Sequence, residues 1–276
     1  MRARVLRVVA TVPVAAVALA FAAPLLGLAL GSLRRRGLPP PTGLEFLPAS
    51  PTLEAYRVLP EVLPVATYFR NSLLVVIVGV PLTVLVASLA GYAIRVSPVG
   101  IKRALVVATV LALLVPLSAL WATRFVLFRG IGAIDTLVPL WSVGLIGTSP
   151  FLVLVYAWAF GRLSDDQLDA AAVDGAGHWR VWRTIGLPQV RAASVAVVVL
   201  SFAIQWGSFI DPLLYLTSGD RYTVPLGLQL LTQLNPTDFP LLLAGAVLAT
   251  LPSVVVFGLG QRTFLHDPLT ALRGGS

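Results

Sequence analysis

The sequence reads Asp-Ala-Ala-Ala-Val-Asp-Gly at positions 169–175, and Ile-Gly-Leu-Pro follows at 185–188. Both runs lie in a polar stretch, 162–191, that interrupts the second half of a very apolar chain. The stretch carries helix-start and helix-stop signals of its own. We interpret it as a docking loop in the cytoplasm, through which a soluble partner acts on a bundle of membrane helices.

The first half of this loop predicts one short helix. Ser164 and Gln167 have capping-box spacing, in which the serine hydroxyl accepts a hydrogen bond from the Gln167 amide and the glutamine side chain reaches back. The Ala-rich residues 168–173 favour a helix, and Gly175 is a natural stop. Small alanine side chains let another surface come close to the backbone, which suits docking in a partner's groove.

The second half predicts another helix, over about 178–185, that is closed by Gly186 and Pro188. Two short helices joined by glycine also resemble a helix-turn-helix. Nucleic-acid recognition is not favoured, because the loop lies between apolar runs and its first helix carries more acids than bases. A solvated hairpin without a partner is the other alternative.

The composition indicates an integral membrane protein. Hydrophobic residues make up 57% of the chain and charged residues 12%, with a mean hydropathy of +0.89, whereas a soluble domain has about 25% charged residues. These charges are too few to cover a water-facing surface. The lack of cysteine excludes disulfides and thiolate chemistry, and two histidines far apart do not indicate a metal site.

Six stretches without Asp, Glu, Lys or Arg are each long enough to cross about 30 Å of hydrocarbon as a helix. The apolar residues after Asp211 extend the fifth of them. We therefore predict an all-α, polytopic membrane protein that forms a single transmembrane domain over 1–276. The predicted spans are 8–33, 71–94, 104–123, 136–161, 192–216 and 239–261.

Basic residues predict that both termini are cytoplasmic. In that orientation twelve of the 20 Arg and Lys residues lie in inside segments and eight in outside segments, the bias that membrane insertion favours. The run Arg34–Arg36 opposes this bias. The first span also has features of a cleaved signal peptide, since Ala20-Phe21-Ala22-Ala23 resembles a small-residue cleavage site, but its apolar run continues through Leu30.

The docking loop resembles the EAA loop of ABC importer permeases. The matching residues are Asp169-Ala170-Ala171, Gly175, Ile185 and Leu187-Pro188, at fixed positions over 20 residues. The wider chain is similar to the carbohydrate-importer permeases of the maltose-transporter type. The other matching segments are Thr52–Tyr56, Asn71–Leu73, Gly130–Gly132 with Asp135–Thr136, Thr223–Gly227, and Gln261–Arg262 before Leu269–Ala271.

This resemblance implies the fold of an ABC type I importer permease, with the loop as its coupling helix. ATP-driven closure of two ATPase subunits would then rock the helix bundles between inward-open and outward-open states. Gly175 would permit the sharp turn out of the coupling helix. The residues implied in docking the ATPase are Asp169, Ala170, Ala171, Asp174, Gly175, Ile185, Leu187 and Pro188.

The resemblance also implies the partners and the location of this chain. The partners are cytoplasmic ABC ATPase subunits, a second and different permease chain, an extracytoplasmic solute-binding protein and membrane lipid, without nucleic acid. ATP and Mg²⁺ would bind to the ATPase, so we expect no catalytic, cofactor-binding or metal-binding residue here, and the sequence has no P-loop pattern. The location implied is the cytoplasmic membrane of a bacterium or archaeon.

Substrate contacts are predicted in the fifth span. Gln205, Trp206 and Ser208 offer the aromatic, amide and hydroxyl groups that sugar sites use, so we predict that they line the substrate pathway. The segment around Trp206 nevertheless lacks the amide and the acid that relatives often carry there, and Asp169 stands where the family usually has Glu. These departures affect the sugar specificity that the resemblance implies.

Two other functions are compatible with the sequence. An importer of a non-sugar solute can carry the same loop. A gradient-driven secondary transporter is less favoured, because such carriers usually bury acids inside the membrane. All six spans lack acids in their interiors, and Asp211 lies only at the outer end of the fifth.

Overall fold

The structure is a computed structural model that describes residues 2–40, 48, 50–145 and 149–266. Their regular secondary structure is entirely helical. The α-helices are α1 (Arg2–Ser32), α2 (Glu54–Val62), α3 (Val65–Val96), α4 (Val99–Leu113), α5 (Leu117–Gly130), α6 (Val138–Ser142), α7 (Pro150–Phe160), α8 (Asp165–Val173), α9 (His178–Val181), α10 (Leu187–Gln189), α11 (Arg191–Trp206), α12 (Ile210–Tyr215), α13 (Val224–Leu234) and α14 (Phe239–His266). A π-helical turn, Trp182–Gly186, joins α9 to α10, and a 3₁₀ turn covers Gly219–Arg221.

Three helical segments within the described part of the chain are long and apolar enough to cross a membrane: 15–32 in α1, the whole of α3, and 239–261 in α14. Two further pairs of consecutive helices are bent at the junction, and each pair is long enough to cross a membrane only when its two helices are counted together. The angle is 92° between α4 and α5, and 84° between the segment 178–189 and α11. Counting each pair as one span gives up to five, so the six predicted spans stay a prediction.

The third predicted span, 104–123, is divided in the structure. Helix α4 ends at Leu113, and α5 begins at Leu117, directly after Pro116. Proline has no amide hydrogen to continue the helix, and its ring disfavours helical backbone in the residue before it. The carbonyl of Pro116 accepts instead from the Ala119 amide, at 3.0 Å. The apolar run 104–123 therefore contains a sharp bend that its hydropathy does not indicate.

The fourth and fifth predicted spans are also divided. Within 136–161 the structure has α6 and α7, while 146–148 lie outside the described residues. Within 192–216, α11 ends before Gly207 and α12 begins at Ile210. Glycine is a poor helix former, and the Gly207 amide closes the end of α11 by donating to the Ala203 carbonyl at 3.1 Å. Of the predicted tail match, 269–271 lie outside the described residues.

The chain divides into two compact units, of which the first comprises Met1–Ala66 and Leu226–Pro252. Helices α1 and α14 approach closely here, since a Cβ added to Gly31 would lie 2.5 Å from Leu243 Cδ1. Small residues allow such close contact between membrane helices. The hydroxyls of Ser32 and Tyr56 hydrogen-bond at 2.7 Å, which connects α1 to α2.

The second unit comprises Thr67–Pro225 and Ser253–Ser276. Gly91 of α3 faces α7, where an added Cβ would lie 2.8 Å from the Ala157 amide nitrogen. The backbone of α7 cannot easily move away from a side chain at this position, so the contact requires glycine. One hydrophobic core runs from α3 and α7 into the polar loop, and its buried members include Tyr92, Tyr156, Ala171 and Trp182. The prediction of a single transmembrane domain stays a prediction.

Candidate functional site

The start of the docking helix differs from the predicted capping box. Ser164 makes no side-chain capping hydrogen bond to α8. Instead, the Gln167 side-chain oxygen accepts from Gln189 Nε2 at 3.0 Å, and the Asp165 carboxylate accepts from Arg95 Nη2 at 2.5 Å. The capping-box prediction is therefore wrong: Ser164 makes no cap bond, and the Gln167 side chain that would have reached back binds Gln189 instead.

The end of the same helix is formed as predicted. Gly175 has a φ of +72°, in the left-handed region that favours glycine. Its amide donates to the Ala172 carbonyl at 3.0 Å, and the Ala176 amide donates to the Ala171 carbonyl at 2.9 Å. These two bonds form a Schellman motif, which satisfies carbonyls at the helix end. Gly175 is thus confirmed as the stop of α8.

The alanines of α8 do not all face outward. Ala171 is only 6% exposed and belongs to the hydrophobic core, against which Leu168 packs from the same helix face. At 100° per residue, Asp169, Ala170 and Val173 lie on the opposite face, and all three are exposed. We therefore correct the docking assignment of Ala171: this residue seats the helix on the protein's own core.

The second half of the loop also differs from prediction. The helix does not end near 185 but continues through a π-helical turn into α10, where Pro188 lies near the start. In the π turn the Leu187 amide donates to the Trp182 carbonyl. The wider turn and the position of Pro188 accommodate a residue that lacks an amide hydrogen. Ile185 and Leu187 pack against the core, while Pro188 and Asp174 are exposed.

Two exposed apolar residues in this loop were missed by sequence reasoning. Val173, at the outer end of α8, is 88% exposed, and Trp179 is 59% exposed. The Trp179 ring lies 4.7 Å from the ring of the buried Trp182. Apolar side chains in an otherwise polar loop were the available signal. We call Asp169, Ala170, Val173, Asp174 and Trp179 the docking surface.

Arg95, near the end of α3, ties the beginning of the loop to a long helix. Its side chain is 14% exposed, and Nη2 donates both to the Leu163 carbonyl, at 2.9 Å, and to Asp165. The hydrogen bond and the charge of Arg95 hold the pKa of Asp165 below its usual value. The docking helix is therefore held at its start by this ion pair and along one face by the core.

A small cavity of about 50 Å³ with polar and apolar walls lies elsewhere in the second unit. Gln205 and Ser208 line it, as predicted for the substrate pathway, but Trp206 does not. Trp206 is buried and its ring stacks on Phe202, with centroids 5.5 Å apart. The assignment of Trp206 to the pathway stays a prediction, while one face of its ring packs on Phe202. Other polar lining residues are Ser72, Asp211 and Thr223.

Comparison with known proteins decides the family. No protein-family model matches the sequence. A permease protein of the lactose transport system, LacG of Rhizobium radiobacter, is 30% identical over 205 residues, which cover 74% of this chain and 74% of that protein. The chain belongs to the permease subunits of sugar ABC transporters. The resemblance of the chain to carbohydrate-importer permeases is thus confirmed at the level of the family.

Other comparisons agree with this. The permease is 30% identical over 223 residues to MdxG, the maltodextrin transport system permease protein of Bacillus subtilis (strain 168), covering 80% of this chain and 79% of that one. A crystal structure of a bacterial ABC transporter involved in alginate import has a chain with a TM-score of 0.74, at 17% identity, covering 94% of the permease and 96% of that chain. The importer permease fold is therefore confirmed.

Family and fold together define the molecular role. The permease is a transmembrane subunit of an ABC importer. Its long apolar helices make it a multi-pass membrane protein. Within this role, the docking surface and the small cavity are two separate candidate sites, one on the polar loop and one beside α11.

Proposed function

We propose that the permease forms part of the translocation pathway for a sugar or a related solute. The relatives that support this belong to lactose and maltodextrin systems, and the similar solved structure takes part in alginate import. These solutes differ in size and charge but share a high density of hydroxyl groups. A hydroxyl-rich solute is therefore the substrate class that the relatives support best.

The docking surface couples this pathway to a cytoplasmic ATPase. The observation that carries this step is the two-faced α8, whose Ala171 face is fixed in the core while Val173 is exposed on the other face. A push on the exposed face reaches α3 and α7 through the core that contains Ala171. Asp169 and Asp174 place charges beside the apolar contact, which favours one register of the partner.

The other parts of the complex follow from the same proposal. Cytoplasmic ABC ATPase subunits bind ATP and Mg²⁺ and carry out hydrolysis, so the permease itself is not an enzyme. A second, different permease chain completes the pathway, and an extracytoplasmic binding protein delivers the solute. The complex lies in the cytoplasmic membrane of a bacterium or archaeon. The excess of basic residues in the predicted inside segments supports six spans with both termini in the cytoplasm.

Uptake by the reconstituted complex tests the transport function. The permease, its second permease, the ATPase and the binding protein are placed in vesicles with radiolabelled lactose, maltotriose or arabinotriose. We expect ATP-dependent uptake of at least one of these sugars, and no uptake with an ATPase variant that cannot hydrolyse ATP. Uptake that persists with the inactive ATPase, driven by a sodium or proton gradient, would contradict the proposal.

Co-purification tests the docking surface. Val173→Asp places a charge at the exposed apolar contact, and Asp174→Arg reverses a charge beside it, so both variants should reduce the ATPase recovered with the permease at least tenfold. Ile131→Asp is the matched control, because Ile131 is also exposed, at 67%, but lies after α5. Full recovery of the ATPase with both loop variants would show that it docks elsewhere.

A further inference from the structure

Two buried side-chain oxygens that belong to residues lining the cavity have no hydrogen-bond partner. They are Gln205 Oε1 and Thr223 Oγ1. Thr223 is 4% exposed. A buried polar group without a partner destabilises the fold, so each such group needs an explanation. Their position calls for a function.

Thr223 is held firmly although its own hydroxyl is unpaired. On one side, Asn71 Nδ2 donates to the Tyr222 carbonyl at 3.0 Å. On the other, the Val224 amide donates to Ser72 Oγ at 2.9 Å. Both bonds come from neighbouring residues of α3. The backbone around Thr223 is therefore fixed, and this keeps the residue at the wall of the cavity.

Gln205 is positioned with similar precision. Its Nε2 donates to Thr83 Oγ1 at 3.2 Å, and that hydroxyl donates to the Gly79 carbonyl at 2.9 Å. The carbonyl end of Gln205 fits against Gly79, where an added Cβ would lie 1.9 Å from Oε1. Because the amide nitrogen is engaged, the oxygen is the atom left to accept from a ligand.

The rest of the cavity is amphipathic. Ser208 Oγ and Asp211 Oδ2 lie 3.4 Å apart on the polar side, and apolar side chains such as Val75 and Leu140 form the other walls. Its volume, about 50 Å³, is far below the roughly 300–1,000 Å³ of pockets that enclose a whole small molecule. The cavity therefore accommodates one small polar group with an apolar side.

We propose that this cavity is a subsite for one hydroxyl or hydroxymethyl group of the transported sugar. The group donates to Gln205 Oε1, exchanges a hydrogen bond with Thr223 Oγ1, and places its C–H side on the apolar wall. The inference rests on the proposed sugar transport. It assigns substrate contact to Thr223, and it gives Gly79 a positioning role through Gln205.

A neutral hydroxyl fits these groups better than a metal ion. The polar lining contains a single carboxylate, Asp211, which already accepts from Ser208. The unpaired pair consists of an acceptor and a hydroxyl that can donate or accept, which is the complement of an alcohol. Sodium binding is therefore an alternative outcome of the test.

The first experiment compares two threonine-to-valine variants in the reconstituted complex. Thr223→Val keeps the shape and removes the hydroxyl, so sugar uptake should fall about two- to tenfold, the range of one neutral hydrogen bond. Assembly with the ATPase should not change. Thr109→Val is the matched control, because the Thr109 hydroxyl bonds only within α4, to the Leu105 carbonyl at 2.7 Å. Equal uptake by Thr223→Val and the unaltered complex would overturn the subsite.

The second experiment uses the absence of cysteine from the chain. In Thr223→Cys, methyl methanethiosulfonate labels the thiol, and mass spectrometry of the intact chain follows the rate. We expect the imported sugar to slow labelling at least threefold and sodium chloride to have no effect. No protection by that sugar, or protection by sodium alone, would overturn the subsite. ATP-dependent uptake by the unaltered complex, measured alongside, shows whether the proposed function fails with it.

Discussion

Gly175 determines how the docking helix ends. Its φ of +72° costs other residues about 1–2 kcal/mol, and no heavy atom lies within 4 Å of an added Cβ, so the cost of substitution comes from the backbone alone. We expect Gly175→Val to loosen the end of α8 and abolish co-purification of the ATPase. Gly175→Asn should retain it, because asparagine tolerates this conformation.

A neighbouring glycine provides the control for that prediction. Gly177 has a φ of −67°, which any residue adopts, and the space around it is also open. Gly177→Val should therefore retain the ATPase, which is measured by its recovery with the detergent-solubilised permease. If both valine variants lost the ATPase equally, the left-handed backbone of Gly175 would not be the cause.

Predictions for single residues were correct where the residue type itself indicates the backbone conformation. Gly175 could be predicted as a stop because glycine favours positive φ. The partners of Gln167 and Trp206 could not be predicted, because they include residues far along the chain. The Gln167 side chain binds Gln189, and Trp206 stacks on Phe202 and contacts Phe69 edge-on at 5.8 Å.

Among the helices, the connection of α3 to α8 is the one that we expect to transmit movement. Arg95 reaches both the Leu163 carbonyl and Asp165, and lysine has no fork of donors with which to do so. We expect Arg95→Lys to keep the ATPase bound but to lower the sugar imported per ATP at least threefold. Uptake and phosphate release, measured in the same vesicles, give this ratio.

The control for Arg95→Lys is Arg103→Lys, in the exposed first half of α4. This variant makes the same chemical change and should leave the ratio of sugar to ATP unchanged. An unchanged ratio in Arg95→Lys as well would mean that the hydrophobic core alone carries the movement from α8 to α3.

The pH dependence of this ion pair follows from the lowered pKa of Asp165. A carboxyl whose folded pKa is depressed stabilises the protein fully above its unfolded pKa of about 3.9, and this contribution is lost only as the pH falls through the lower folded value. We therefore expect the sugar-to-ATP ratio to show no titration of this pair between pH 5.5 and 8. Asp165→Asn should lower the ratio throughout that range. A fall in the unaltered complex alone, near pH 6, would contradict this.

Helix breaks mark the limit of what apolar runs predict. Hydropathy reports only how long an apolar run is, so 104–123 and 192–216 were each predicted as one helix. In the structure α4 and α5 meet at 92° beside Pro116, and Gly207 separates α11 from α12. The two residues were visible in the sequence, but membrane helices often keep proline and glycine within a span. Only the contacts of the folded chain decide which of them breaks a helix.

For the whole molecule, composition was sufficient to predict a membrane protein, because a chain of this size cannot bury all of its hydrophobic residues, 57% of the total, away from water. Helix α4 has no buried residue, and large apolar side chains such as Leu111 and Leu113 remain exposed there. The division into two units could not be predicted, because it joins Met1–Ala66 to Leu226–Pro252. Such contacts between distant segments leave no periodic pattern in a nearly uniform apolar sequence.

Topology is the property of the whole chain that basic residues alone predict, and the lack of cysteine makes it measurable. Asp174 and Asp220 are both exposed and lie in connections predicted to face opposite sides of the membrane. We expect a membrane-impermeant thiol reagent to label Asp174→Cys only in inside-out vesicles and Asp220→Cys only in right-side-out vesicles. The unaltered chain, which has no thiol, is the background control. The reverse pattern would place the docking surface outside the cell, where no ATPase could reach it, and would contradict both the orientation and the coupling role of α8.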